Sequence, residues 1–250
     1  MKSKILIIFS SLIIHQYVYA NPDLIFKNSM EYTMTSLNDT GITWLGGYPT
    51  GSCPSSTTTL PQDCHVGRDF THNDDDDGHA GFSFTKLDAS GTPLTDQGVD
   101  YATTPWACVQ DNITGLVWEV KTITAGIHNK DNTYKWGGLT AIGRDHPNRE
   151  GVYYEPSWNE LVEGSNANAL CGFVNWHVPT ASELSSIVNL STFDPSIDAS
   201  YFPNTKSTWF WSSSPIAGML SAARTAFFYS GHVVSAVRDS NIRVRLVRSR

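Results

Sequence analysis

Residues 111–120 read D-N-I-T-G-L-V-W-E-V, residues 170–184 read L-C-G-F-V-N-W-H-V-P-T-A-S-E-L, residues 209–215 read W-F-W-S-S-S-P, and residues 242–249 read I-R-V-R-L-V-R-S. In the first stretch Leu116, Trp118 and Val120 alternate with Val117, Glu119 and Lys121, the period-two pattern of a strand with one face in a core. Between the first two stretches, Ser157 and Glu160 form a capping-box pattern ahead of Trp158, Leu161 and Val162, and Gly172 supplies a stop. Thr180 and Glu183 repeat the pattern ahead of Leu184, Ile187 and Val188 at helical spacing. Four strand-like runs follow, at 209–212, 222–229, 232–236 and 242–247, with Ser230-Gly231 suited to a tight hairpin turn. In the last run Ile242, Val244 and Leu246 are expected to point inward while Arg243 and Arg245 point outward. The pattern predicts an α+β domain with two short helices and a twisted, mostly antiparallel sheet.

Working outward from these stretches, residues 21–105 are loop-rich, with Thr, Ser, Gly, Pro and Asp dominant and Pro54, Pro61, Pro93 and Pro105 as punctuation. Short apolar pieces at 42–45 and 81–87 are candidate strands. Residues 1–20 carry Lys2 and Lys4, an apolar run from Ile5 to Ile14, and Val18-Tyr19-Ala20, the pattern of a secretory signal peptide. That run is shorter than the roughly 20 apolar residues that span a bilayer, so no membrane span is expected once the signal is removed. The chain is therefore expected in the periplasm, at the cell surface or secreted. With 12% aromatic and 16% charged residues and 19 glycines, it reads as a loop-rich extracellular globule. A formal charge of −7 argues against nucleic acid as a general partner.

Export gives the cysteines their meaning. Cys53, Cys64, Cys108 and Cys171 are an even set in an oxidising compartment, which implies two disulfides with three conceivable pairings. Cys53 with Cys64 would brace a Ser/Thr/Pro loop that has little else to hold it.

The stretches quoted above resemble, in order and spacing, the bacterial family named for the C-terminal domain of the Legionella collagen-like protein. The W-x-x-P-T-x-x-E-L segment at 176–184 is also similar to part of the formylglycine-generating-enzyme (sulfatase-modifying-factor) fold, a relative of C-type lectins. The resemblance covers residues 106–250 and implies a lectin-like fold, stapled by a disulfide between Cys108 and Cys171. It implies no reaction: the formylglycine-generating enzyme uses a cysteine pair near its C-terminal end, and no cysteine follows Cys171. One departure stands out. The family's D-W-R-L-P-T reads Asn175-Trp176-His177-Val178-Pro179-Thr180 here, so a titratable imidazole replaces a permanent charge.

Three constellations could carry chemistry. Asn73, Asp75 and Asp77, followed by Gly78, match the first half of a calcium loop, although Phe84 stands where an EF-hand needs glutamate. A looser calcium loop and a plain solvated acidic turn are the two readings. Arg243 and Arg245, on one face of a strand, with Arg238 nearby, would form a guanidinium stripe suited to sulfated or carboxylated polysaccharide. Trp209 and Trp136 lie beside small polar residues, where indole faces stack on sugar rings, while burial of Trp209 and Trp211 opposite Phe210 is the plainer alternative. No G-x-S-x-G, H-E-x-x-H or P-loop occurs. The chain thus reads as a non-catalytic binding module for an extracellular glycan or polyanionic matrix component, in adhesion or surface assembly, with self-association into a homo-oligomer compatible with that role. The rival expectation is an exported metal-dependent hydrolase using the loop at 65–79, where His65, His72 and His79 recur among aspartates.

Overall fold

A computed structural model of the chain describes residues 38–43, 67–69, 71–72, 75–142 and 155–249. The expected signal peptide at 1–20, the Cys53–Cys64 pair, His65 and Asn73 lie outside the described residues. The strands are β1 (Phe84–Leu87), β2 (Cys108–Asp111), β3 (Leu116–Glu119), β4 (Trp209–Pro215), β5 (Ala222–Phe227), β6 (His232–Val237) and β7 (Val247–Ser249). Between β3 and β4 come helices α1 (Asn159–Ala167) and α2 (Ala181–Ser185), with a 3-10 turn at Leu170–Gly172.

Two sheets form, one of order β1-β2-β3-β7 and one of order β4-β5-β6, and every strand pair in them is antiparallel. The α+β expectation, with mostly antiparallel sheet and two short helices among the described residues, is met. β1 pairs with β2 from Phe84↔Asp111 to Leu87↔Cys108, so a strand ahead of position 106 belongs to the first sheet. The apolar piece at 42–45 forms no strand at Ile42 and Thr43, and its other two residues lie outside the described range.

The strand β3 departs from its one-sided expectation: all four of its residues are buried. Leu116 and Trp118 join one apolar cluster with Phe84, Leu184, Phe202 and Phe210, while Val117 joins another with Trp136, Trp158, Trp176 and Trp211. A strand with core on both faces must bury its polar residues too, which is why Glu119 and Lys121 are inside. The run at 242–247 also differs. Only Val247 belongs to a strand, because the residues before it cross between the sheets. Trp211 N–H donates to Arg243 O on the β4 side, and Glu119 N–H donates to Leu246 O on the β3 side. Ile242, Val244 and Leu246 are inward as expected.

Helix starts follow two different causes. At α2 the Thr180 side chain accepts from Glu183 N–H at 3.1 Å while Thr180 N–H donates to the Glu183 carboxylate at 2.7 Å, a complete capping box. At α1 the expected box does not form; the helix starts at Asn159 with no side-chain cap. There tertiary burial sets the start. Trp158 is fully buried, its indole N–H donates to Leu139 O at 2.6 Å, and Asn159 Oδ1 accepts from Leu139 N–H at 2.6 Å. After α1, Cys171 in the 3-10 turn is disulfide-bonded to Cys108 of β2, across a sequence separation of 63. The crosslink fastens the first sheet to the helical layer.

Candidate functional site

The exposed arginine stripe is not formed. Arg238 and Arg245 are both fully buried. Alternation places Arg245 opposite Val244 and Leu246 as expected, but that second face is covered by Phe202 and Phe210, whose rings lie 5.1 and 6.0 Å from its guanidinium carbon. Arg245 Nη1 donates to Glu119 O at 3.2 Å and Nη2 to Thr205 Oγ1 at 2.6 Å. The Glu119 carboxylate sits at the centre of this interior network. Its Oε1 takes Lys121 Nζ and His128 Nδ1, each at 2.8 Å, and its Oε2 takes Leu246 N–H at 2.8 Å. Burial would raise the Glu119 pKa, but the Lys121 charge and the bonds from His128 and Lys121 prevail and hold it at about 2. Burial also lowers Lys121 and draws Arg245 down to about 10, against the pull of Glu119.

Trp136 is likewise not a free sugar platform. It is fully buried, its indole N–H donates to Ser212 O at 2.8 Å, and the Arg238 guanidinium stacks 4.1 Å above its ring. Arg238 and Trp136 thus satisfy each other in the interior as a cation–π pair.

Arg243 is different. Its side chain keeps 22% of its exposure and meets two lysines that the sequence reading did not single out. Arg243 Nε donates to Lys130 O at 3.0 Å, and its Nη2 lies 3.8 Å from Asp131 Oδ1. Lys206 Nζ lies 3.0 Å from the same oxygen, and Lys130 Nζ lies 3.3 Å from Asp131 Oδ2. Among the described residues, three cations against one carboxylate leave a local surplus of two positive charges on a chain whose net charge is −7. Hydrogen bonds from Lys206 and Lys130 hold the Asp131 carboxyl below its usual range, and Asp131 in turn raises Lys206. No local signal marks this cluster, since its members come from three separate loops.

Beside it runs an aromatic row. Arg243 bridges Phe210, the neighbour of Trp209 in β4. Trp209 is only partly buried and stacks on Phe227 of β5 with centroids 4.6 Å apart. Phe227 then meets His232 at 5.3 Å and Tyr229 at 5.7 Å, and Tyr229 meets the exposed Phe193 at 6.4 Å. Trp211 is buried in one core cluster with the partly buried Trp209 packed against it, and Phe210 is buried in the other, so the two indoles share a face while Trp209 keeps part of its exposure.

The acidic loop makes separate contacts. Asp75 Oδ1 lies 2.9 Å from His79 Nδ1 and accepts Ala80 N–H at 3.3 Å, while Asp77 accepts from the Ser83 hydroxyl. With Asp76 and Asp198, Asp75 lines an open cleft of about 530 Å³, whose wall includes the buried Lys86 and Tyr201. Among the described residues no three His, Cys, Asp or Glu side chains converge as a metal-ligand set.

A family model, the Lcl C-terminal domain, matches residues 107–248. The chain belongs to this family. No curated protein and no solved structure matches it. Membership in the Lcl C-terminal domain family is consistent with a surface-associated module, and no described helix is long and apolar enough to cross a membrane. In this Lcl C-terminal domain His177, which stands in place of the expected arginine, lies 3.4 Å from Glu183 Oε1. It therefore touches the carboxylate that closes the α2 capping box, and its hydrogen bond helps keep Glu183 ionised against burial.

Proposed function

We propose that this Lcl C-terminal domain is an exported, non-catalytic, lectin-like binding module that holds an acidic glycan or polyanionic matrix component in adhesion or surface assembly. Lys130, Lys206 and Arg243 grip the anionic groups and Trp209 offers a ring face to the adjoining sugar. The observation that carries the reading is the convergence of these three cations on Asp131, their one carboxylate partner among the described residues. Partly exposed cations with a positive surplus attract a sulfate or carboxylate that two surface charges in balance would not. A guanidinium fork and two mobile ammonium groups suit an irregular chain of anions better than a single fixed anion. The mixed sheet-and-helix arrangement and the Cys108–Cys171 crosslink support the lectin-like reading of the fold.

The test is retention of the mature protein on immobilised sulfated dextran, with neutral dextran as control. Retention on the sulfated matrix alone, lost at lower salt for Lys206→Gln and for Lys130→Gln, is the expected result. Equal retention on both matrices, or no change in either variant, would overturn the proposal.

A further inference from the structure

We propose that the acidic cleft between residues 75–79 and 189–201 is a second binding site, which takes a protonated amino sugar: the ammonium meets Asp75 and Asp198, and a neighbouring sugar oxygen meets the Asn189 amide. The starting observation is one residue that ties the two carboxylates together. His79 donates its backbone N–H to Asp198 Oδ2 at 3.3 Å, and its ring Nδ1 lies 2.9 Å from Asp75 Oδ1. The Ser200 N–H and hydroxyl hold Asp198 Oδ1 at 2.9 and 2.6 Å. Two acidic groups far apart in sequence are thus fixed on the wall of one cleft of about 530 Å³. Asp76 lines it as well, and the Asp75 side chain is 74% exposed.

Charge alone would make this an acidic patch. The second observation is Asn189, which lines the same cleft although only 1% of its surface is exposed. Its Oδ1 accepts from the Ser191 N–H at 2.8 Å and from the Ser191 hydroxyl at 2.6 Å, which fixes the orientation of the amide. Its Nδ2 has no hydrogen-bond partner. Buried donors are nearly always paired, because an unmade bond there costs the full loss of hydration. An acceptor carried by an occupant of the cleft completes this one.

The groups on the wall restrict that occupant. Among the described residues, three carboxylates stand against the ammonium of Lys86 and the imidazole of His79, so even a protonated imidazole leaves the wall negative. Lys86 is buried, and its Nζ already donates to Gln97 O at 2.8 Å and to Val99 O at 2.9 Å. The cleft therefore favours a cation. Asn189 adds the need for an oxygen acceptor close to that cation. A lysine side chain carries no oxygen near its ammonium, and a free amino acid brings a carboxylate that the aspartates repel. A sugar with a free amine offers an ammonium flanked by hydroxyl oxygens on a rigid ring, and Pro195 and Ala199 give its C–H face an apolar surface. The volume falls in the roughly 300–1,000 Å³ of small-ligand clefts. None of these residues belongs to the basic cluster, so the module has two sites of opposite charge preference.

Isothermal titration of the purified mature chain with a glucosamine trisaccharide, at about pH 6 where such amines carry protons, tests the proposal. Saturable binding is expected, and roughly tenfold or more weaker binding of the N-acetylated trisaccharide, whose nitrogens take no proton. Asp75→Asn and Asn189→Ala should each weaken binding by about tenfold or more. Glu163→Gln removes an exposed charge on α1, outside the cleft, and should leave binding within about twofold. If Asn189→Ala does not fold, Asp75→Asn decides. Absence of binding, equal affinity for the two trisaccharides, or a folded Asp75→Asn that binds as wild type overturns the proposal. A trilysine peptide that binds as tightly as the glucosamine trisaccharide overturns it too, as does a Glu163→Gln that weakens binding as much as Asp75→Asn.

Discussion

Replacing Glu119 by glutamine keeps the size and hydrogen-bonding shape of the side chain and removes only its charge. The carboxylate is fully buried, with Lys121 and His128 on one oxygen and Leu246 N–H on the other. Its pKa falls from 4.5 to about 2, which by linkage corresponds to about 3 kcal/mol of folding stability at neutral pH. Leaving Lys121 and Arg245 buried without that charge is the same loss seen from the other side, for which about 3–5 kcal/mol is usual. Against a domain stability of roughly 5–15 kcal/mol this is a large fraction. The sign with pH follows from the direction of the shift. A depressed carboxylate contributes fully above its unfolded value of 4.5, and the contribution fades as pH falls toward 2. Urea unfolding of wild type and Glu119→Gln, repeated at several pH values, should show a gap of about 3 kcal/mol at pH 7 that narrows steadily below about pH 4.5. A gap under about 1 kcal/mol, or one constant with pH, would refute the account of Glu119 as the charged centre of the core.

Further outcomes are expected. Cys108→Ser with Cys171→Ser should lower stability by about 4 kcal/mol, since the bridge closes a loop of 63 residues, and denaturant titration under non-reducing conditions measures it. Thr180→Ala should cost about 1 kcal/mol through loss of the α2 cap, with thermal unfolding as the readout. Chelation of divalent metal should leave retention on sulfated dextran unchanged, because protein cations supply the attraction; abolition of binding by chelator would transfer the role to a metal.

Local chemistry was legible wherever a few consecutive residues decide the outcome. Thr180 and Glu183 close a cap within one turn of helix. Gly231, at φ +80°, takes the left-handed position that the hairpin after β5 requires. Long-range packing was not legible. Alternation at 242–246 placed Arg245 on the face away from Val244 correctly, yet nothing in that segment reports that Phe202 and Phe210 cover the opposite face. Likewise the period-two pattern of β3 cannot announce a second core beneath Glu119 and Lys121. The basic cluster escaped for a related reason. Lys130, Lys206 and Arg243 are single charges in unrelated segments, and only the fold sets them around Asp131.

Asp131 offers the most direct test of the anion-binding claim, because it is the cluster's sole carboxylate among the described residues and over half of its side chain is exposed. Asp131→Asn raises the local surplus from two positive charges to three while preserving the side-chain shape. Titration with a sulfated oligosaccharide, followed through the partly exposed Trp209, should give roughly three- to tenfold tighter binding for the variant, in line with about 1 kcal/mol for an added surface charge interaction. Unchanged or weaker binding by a folded Asp131→Asn would contradict the claim that these cations form the ligand site.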